Sequence, residues 1–309
     1  MGTPATLELD DTRHPDVARD IGLVEVSLGD ASLTIDPLGA VITRFTVGGK
    51  DVFMPRSSFV GLDGRRRQRG GAVLLFPQAG RPLDSDSQYL DLPNHGIVRS
   101  MPWRVVPEVD PLESIQRQLN RDRRALSKQH HKRTVQMDLR HSPAQTACYP
   151  HGFNLTYRIS LDKPPHIKDD KQYRLWQEVD ILNTDDREIP VASGFNLFFP
   201  VIRDQLKDVL ENITGVIGVS DYQPGKPKYY LVNLTDDWGL TLPLNTGSVE
   251  LGFLTPFSGV VAYATQEGNF LCIGPWTRGP GAISVPSQRI NLQPGKKYSM
   301  RLLTVVTSR

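Results

Sequence analysis

Residues 70–103 read GGAVLLFPQAGRPLDSDSQYLDLPNHGIVRSMPW, and the interpretation of the whole chain starts from this stretch. The apolar run from Ala72 to Phe76 is typical of a strand, and Pro77 ends it because proline cannot donate to a sheet's hydrogen-bond ladder. Two loops follow, and loops held by a rigid sheet often carry binding groups. The donors in these loops suit a ligand rich in hydroxyl or phosphate oxygens. The predicted binding residues of the two loops are Arg81, Asn94, His95 and Arg99.

Outward from this stretch, short runs of sequence alternate apolar and polar residues. Examples are LVEVSL from residue 23, FNLTYRISL from residue 153 and YRLWQEVDILN from residue 173. A period of two is typical of half-buried antiparallel strands, and turn residues such as Gly, Pro and Asn separate the runs. We therefore predict an all-β fold.

The composition is that of a globular protein of 309 residues, with 39% apolar and 23% charged residues. No apolar run approaches the ~20 residues of a membrane-spanning helix, and the start, MGTPATLELDDTRHPD, lacks the apolar core of a signal peptide. Only two cysteines occur, Cys148 and Cys272, which argues against a disulfide framework. The net charge of +2 gives no general attraction to nucleic acid. We expect a cytoplasmic protein, or one in another reducing, non-secreted compartment, with no transmembrane segment and no nucleic-acid partner.

Common cofactor and metal motifs do not occur in the sequence. It has no Gly-rich phosphate loop, CxxC pair, HExxH or GxSxG. His130 and His131 are adjacent, so their side chains would point apart on a regular element and do not predict a metal site. We expect no cofactor and no metal.

The opening stretch resembles the aldose 1-epimerase (galactose mutarotase-like) family, in particular its hexose-6-phosphate mutarotase branch. In that family a strand ends in FP-x-x-GR, and an NHG-[FIL]-x-R…W segment follows. Either half alone would be a weak signal, but the combination is specific. The matching residues are Phe76, Pro77, Gly80, Arg81, Asn94, His95, Gly96, Ile97, Arg99 and Trp103.

The resemblance extends over most of the chain and implies a single-domain antiparallel β-sandwich of the galactose mutarotase-like supersandwich type. The sandwich would occupy residues 21–309, after a loose N-terminal arm at residues 1–20, and a basic insertion would interrupt it at about residues 111–133.

Two basic segments leave alternatives open. Between Arg117 and Arg133 there are seven Lys or Arg residues and one acid, Asp122. This segment is either a solvated hairpin extension or a docking surface for an acidic protein partner. Residues 61–69, GLDGRRRQR, are interpreted as a loop that is either solvated or in contact with an anion or a partner beside the ligand site.

Mutarotation interconverts the two anomers of a sugar and needs two titratable groups on opposite sides of C1. One takes the proton of the anomeric hydroxyl and the other protonates the ring oxygen, so that the ring opens and recloses on its other face. The resemblance implies a glutamate base, a histidine acid, and a second histidine and an arginine that bind the sugar. His95 and Arg81 match the binding pair. The motif for the catalytic histidine reads GFNLFF, with Asn196 in its place, and the motif for the glutamate reads CIGPWT, with Gly274 in its place.

Both proton-transfer groups are therefore missing from the positions that the resemblance assigns to them. An amide does not titrate near neutral pH and glycine has no side chain, and losing general acid–base help typically costs ~10²–10⁴-fold per group. No catalytic residue is assigned, and His95 is the one candidate. Trp276 is interpreted either as an aromatic wall for the sugar's C–H face or as core packing. The predicted binding residues for a sugar or sugar phosphate are Arg81, Asn94, His95, Arg99, Asn196 and Trp276.

Three hypotheses follow for the function. The first is an aldose 1-epimerase-family carbohydrate-binding protein, a pseudoenzyme with lost or weak mutarotase activity. The second is a working aldose or hexose-6-phosphate 1-epimerase, an isomerase of carbohydrate metabolism, that uses substitute acid and base groups with His95 among them. The third is a non-catalytic subunit of a larger complex, a role known for mutarotase-like relatives in the photosynthetic NADH dehydrogenase-like complex. If the cleft is otherwise intact, Asn196→His together with Gly274→Glu is expected to raise mutarotase activity.

Overall fold

The structure is a computed structural model that describes residues 22–60, 66–85, 88–106, 132–164, 172–201, 228–231, 239–244, 247–255, 257–264 and 269–308. The predicted N-terminal arm, residues 1–20, lies outside the described residues. So does the predicted basic insertion up to residue 131. Its last two residues, Lys132 and Arg133, begin a strand that starts earlier than the sequence pattern indicated.

Strands form nearly all of the regular structure, in two large sheets. One sheet has nine strands, in the order β1-β2-β3-β7-β13-β18-β17-β14 with β4 paired to β3. Its strands are β1 (Val24–Leu28), β2 (Ala31–Asp36), β3 (Val41–Val47), β4 (Lys50–Phe53), β7 (Ala72–Leu75), β13 (Gly194–Pro200), β14 (Lys228–Leu231), β17 (Gly259–Tyr263) and β18 (Phe270–Trp276).

The second sheet has seven strands, in the order β15-β16-β20-β11-β10-β9-β8. Its strands are β8 (Arg104–Val106), β9 (Lys132–His141), β10 (Phe153–Asp162), β11 (Gln172–Asn183), β15 (Gly239–Leu244), β16 (Gly247–Thr255) and β20 (Lys297–Ser308).

Two short ribbons and three short 3-10 helices complete the regular structure of the described residues. One ribbon pairs β5 (Ser57–Val60) with β6 (Arg66–Arg69), and the other pairs β12 (Ile189–Val191) with β19 (Ile290–Leu292). The 3-10 helices are Val98–Ser100, Pro143–Gln145 and Ala282–Ser284. No helix among the described residues is long and apolar enough to cross a membrane.

The alternation seen in the sequence is realised as alternating burial. Along β11 every second side chain is buried through all 12 residues, and its neighbours β10 and β20 pair with it antiparallel. The two sheets pack face to face around a shared core, where the rings of Tyr157 on β10 and Phe195 on β13 lie 6.2 Å apart. The predicted all-β antiparallel sandwich is therefore confirmed.

The outer face of the nine-stranded sheet, turned away from this core, is also covered at its centre. All seven residues of β18 are buried. Leu271 and Ile273 belong to the shared core, and because side chains alternate along a strand, Cys272, Gly274 and Trp276 lie on the outer face. The candidate site is built on this face.

The prediction of a loop over residues 61–69 was wrong for its second half. Arg66–Arg69 forms strand β6 and pairs with Ser57–Val60, while residues 61–65 lie outside the described residues. The Arg69 guanidinium lies 3.9 Å from the ring centre of Phe59 and 4.6 Å from that of Phe270. One of these two partners, Phe270, is about 200 residues away in sequence, and the basic run alone did not indicate the strand.

Candidate functional site

The two loops predicted to carry binding groups are fastened to each other at Gly80 and His95. The His95 amide donates to the Gly80 carbonyl at 2.8 Å, and the Gly80 amide donates to Nδ1 of His95 at 3.0 Å. The first loop is also tied to the end of β12, because the Ala79 amide donates to the Ala192 carbonyl and the Ala192 amide to the Pro77 carbonyl, each at 2.7 Å. His95 is therefore positioned by main-chain bonds on both loops.

The turn that presents His95 uses left-handed backbone conformations. His95 has φ 68° and Gly96 has φ 75°, a region that residues with a side chain seldom adopt. The Ile97 amide donates to the Phe76 carbonyl at 2.9 Å, which draws Gly96 against the end of β7. Strained main chain of this kind persists only where the surroundings impose it.

The chemical state of His95 follows from its contacts. Because Nδ1 accepts a hydrogen bond, the neutral imidazole carries its proton on Nε2. Burial, together with the positive charges of Arg99 and Arg81, lowers the pKa of His95 to about 3. At neutral pH the ring is therefore uncharged and offers Nε2 as a hydrogen-bond donor.

Asn196 and Gly274 face each other on adjacent strands. Gly194 pairs with Trp276 and Leu197 with Ile273. Each of these pairs has residue numbers that add to 470, which places Asn196 opposite Gly274. The two positions that the resemblance assigns to proton transfer therefore lie side by side on the outer face.

The indole of Trp276 lies in a trough formed by glycines. A Cβ built on Gly274 would lie 2.8 Å from the indole Nε1, and one on Gly194 would lie 2.8 Å from the indole Cδ1. On the six-membered ring, a Cβ on Gly80 would lie 3.4 Å from Cζ3. The missing side chains make space for the indole, whose N–H donates to Oδ1 of Asn196 at 3.3 Å.

Trp276 is buried beneath the site and does not present an open aromatic face. Its side chain is only 5% exposed, and it packs in a small apolar cluster separate from the main core, with Leu75, Ala79, Val261 and the partly buried Val73. The ring of His95 stands edge-on to it, with centroids 6.0 Å apart. A sugar ring therefore has little indole face to stack on, contrary to the aromatic wall considered from the sequence.

The remaining predicted binding residues surround His95. Arg81 directly follows Gly80 and is exposed, Asn94 precedes His95 and is half-buried, and Arg99 is half-buried in the 3-10 helix Val98–Ser100. The structure thus brings Trp276 and Asn196 together with His95 on the outer face, and Arg81 and Arg99 act on the His95 ring.

The segment between Arg81 and His95 is anchored from below through Tyr89. The Tyr89 hydroxyl and Nε2 of His151 are 3.1 Å apart, and both residues are buried. Burial lowers the pKa of His151, and Arg187 acts in the same direction. This hydrogen bond ties the segment that carries Tyr89 to the buried His151.

Sequence reasoning missed the contribution of Gly80 and Gly194, which shape the trough, and of Arg69, which covers the far end of the same face. The sequence did contain a signal for the trough. Gly194 and Gly274 lie on the same face of neighbouring strands as Trp276. Among the described residues, no cluster of three His, Cys, Asp or Glu side chains has the arrangement of a metal site.

Solved structures with similar folds are known. A protein from Synechocystis sp. PCC 6803 superposes with a TM-score of 0.65 at 17% identity, over 96% of this chain and 99% of that one. The galactose 1-epimerase from Lactobacillus acidophilus NCFM gives a TM-score of 0.59 at 14% identity, over 95% and 97%. A putative aldose 1-epimerase from Escherichia coli K12 gives 0.56 at 12%, over 93% and 99%.

Two of these neighbours are named as a galactose 1-epimerase and a putative aldose 1-epimerase, and this chain has the fold of all three. No family model matches the sequence, and no curated protein matches it significantly.

Proposed function

We propose that this chain is a carbohydrate-binding protein of the aldose 1-epimerase family that has lost, or nearly lost, mutarotase activity. The observation that carries the proposal is the contact between the two positions assigned to proton transfer. Asn196 holds the indole N–H of Trp276, and these groups occupy the space next to Gly274 that a side chain there would need.

The properties of His95 make it a poor substitute for the missing proton-transfer groups. A general acid or base works best with a pKa near the operating pH, and the pKa of His95 is about 3. Its Nδ1 is also engaged by the Gly80 amide. These facts weigh against a working epimerase in which His95 serves as the substitute group.

We expect no acceleration of mutarotation by this protein. Polarimetry on freshly dissolved α-glucose, α-galactose and glucose 6-phosphate, in dilute buffer, is the measurement, with the Lactobacillus acidophilus galactose 1-epimerase as the active control. The rotation should relax at the uncatalysed rate, because each missing acid or base group removes roughly 10²–10⁴-fold of rate. An acceleration close to that of the control, abolished in His95→Ala, would instead establish His95 as a catalytic group.

We also propose that the basic segment from Arg117 to Arg133 binds an acidic protein surface. Its seven basic residues and one acid give the segment a larger positive charge than the net +2 of the entire chain. The basic side chains repel one another, and an acidic partner surface would offset this repulsion. The segment leaves the sandwich between β8 and β9, which pair with each other near Val106 and Gln136.

Replacing residues 108–131 by a short Gly-Ser linker is expected to abolish a salt-sensitive association in pull-downs from native extract while leaving thermal stability nearly unchanged. The attraction should vanish near 1 M salt, where the Debye length falls to about 3 Å. A variant with the segment's Arg and Lys residues changed to Gln keeps the length of the segment and removes its charge, so it tests whether the association depends on the charge. Unfolding of the deletion variant, or an association unaffected by salt and charge, would contradict the proposal.

A further inference from the structure

The outer face of the nine-stranded sheet continues past the candidate site along β18. Because side chains alternate along a strand, Cys272 lies on the same face as Gly274. Cys272 pairs with Phe198 on β13 and with Tyr263 on β17, so these three side chains form one row across the sheet, here called the aromatic row. Residues two apart in a strand are separated by roughly 6.5–7 Å. The aromatic row therefore lies directly beside Asn196 and Gly274.

The two rings of the aromatic row keep exposed surface. Phe198 and Tyr263 are both half-buried, and each packs against Phe270, with ring centroids 5.8 Å and 6.0 Å apart. By contrast, Phe270 and Trp276 on β18 are only 3% and 5% exposed. Among the aromatic residues of β13, β17 and β18, the surface that a ligand on this face can contact is therefore that of Phe198 and Tyr263.

The floor between the two rings is small and nearly apolar. Cys272 is 4% exposed, and burial raises the pKa of its thiol to about 12, so the thiol is uncharged at neutral pH. A thiol is a weak hydrogen-bonding group, which leaves the Tyr263 hydroxyl as the one strong donor or acceptor among the side chains of the row. The aromatic row therefore offers flat apolar surface and one hydroxyl.

Such a surface favours an apolar ring over a second sugar ring. Several sugar hydroxyls buried there would compete for one strong partner, and an unsatisfied polar group is costly. An aromatic ring brings no such groups. It gains from the burial of its apolar surface and from edge or stacked contacts with the rings of Phe198 and Tyr263.

We propose that the site binds a glycoside with an aromatic aglycone. The sugar lies on the patch formed by His95 and Asn196, and the aglycone ring packs over Cys272 between Phe198 and Tyr263. The inference rests on the proposed carbohydrate-binding function and assigns its ligand class. It also provides the aromatic contact that the buried indole of Trp276 does not offer.

Isothermal titration calorimetry compares matched methyl and phenyl glycosides of glucose and galactose, each as the α and the β anomer. We expect the phenyl glycoside of at least one sugar and anomer to bind about 10-fold more tightly than its methyl counterpart, which corresponds to about 1.4 kcal/mol. Maltose and cellobiose carry a second sugar in place of the aromatic ring. They should bind no more tightly than the methyl glucosides, because the aromatic row leaves their hydroxyls without partners.

Variants of the aromatic row locate the aglycone. Phe198→Leu and Tyr263→Leu keep apolar bulk but remove a flat ring, so each should weaken the phenyl glycoside about 3-fold more than the methyl glycoside. Tyr263→Phe keeps the ring and should retain the preference for the phenyl group. Trp176→Leu is the matched control, because Trp176 is a half-buried aromatic residue on the seven-stranded sheet, and it should leave the preference unchanged. Thermal melting by circular dichroism checks that each variant is folded.

The outcomes separate this inference from the proposed function. Equal binding of every methyl and phenyl pair, or a phenyl preference that survives both leucine variants, would overturn the aromatic aglycone and leave carbohydrate binding standing. A disaccharide that binds as tightly as the best phenyl glycoside would also overturn it, in favour of a second sugar ring. Binding of none of the probes by the folded protein would overturn carbohydrate binding itself and the inference with it.

Discussion

Gly274→Glu is expected to destabilise the protein and to leave it without mutarotase activity, both alone and together with Asn196→His. The sequence suggested that the double substitution would restore an acid and a base. The structure alters that expectation because the space beside position 274 is filled. A Cβ on this residue would lie 2.6 Å from Oδ1 of Asn196, 2.8 Å from Nε1 of Trp276 and 3.1 Å from the Phe195 carbonyl.

Replacing Asn196 by histidine does not relieve this crowding. The indole nitrogen and the main-chain carbonyl stay where they are, and the imidazole is larger than the amide it replaces. Overpacking of a closed site typically costs about 1–3 kcal/mol, and we expect Gly274→Glu to fall in this range or above it. Urea denaturation gives the free energy of unfolding, and polarimetry on α-glucose gives the activity.

Gly252→Ala provides the matched control for the added side chain. Gly252 also lies in a strand, but a Cβ there would meet only Leu303, at 3.6 Å and 3.8 Å, which is ordinary contact. We expect this variant to stay within about 1 kcal/mol of the unchanged protein. A double variant that is stable and accelerates mutarotation by 100-fold or more would mean that Trp276 moves aside readily, and the proposed loss of function would then reside in two residues alone.

Much of the fold was predictable because the physics that determines it is local. A period of two along β10 and β11 marks half-buried strands whatever their partners are, and Pro77 marks the end of β7. The grouping of Arg81 and His95 was also predictable, since both lie in the two loops of the opening stretch, 14 residues apart. The hydrogen bonds between Gly80 and His95 that join the two loops were seen only in the structure.

The state of the site was not predictable, because it depends on contacts between distant segments. From the sequence, Gly274 indicates only that a carboxylate is missing. In the fold, the indole of Trp276 and the side chain of Asn196 meet beside Gly274, although Asn196 and Trp276 are 80 residues apart in the chain. Likewise, the charge state of His95 depends on burial and on Arg81 and Arg99. A motif gives the residue type at a position, but neither its tautomer nor the space around it.

Gly96→Ala is expected to be the most destabilising single methyl addition near the site. A Cβ at this position would lie 2.0 Å from the Phe76 carbonyl oxygen, 2.4 Å from its carbon and 2.8 Å from the Pro77 nitrogen. These are main-chain atoms of the strand end and cannot rotate away. The left-handed φ of 75° adds strain of its own, typically about 1–2 kcal/mol for a residue with a Cβ.

The two costs can be separated with Gly49→Ala. Gly49 has nearly the same φ, 74°, but nothing lies within 4 Å of a Cβ built on it, so this variant carries the backbone strain alone and should lose about 1 kcal/mol. Gly96→Ala should lose at least about 3 kcal/mol in urea denaturation, because the clash adds an overpacking cost. It should also displace His95, whose amide is bonded to Gly80, and so weaken any ligand that contacts the ring. Equal losses in the two variants would show that the Phe76 strand end yields to the methyl group, and the turn would then not be the rigid support that positions His95.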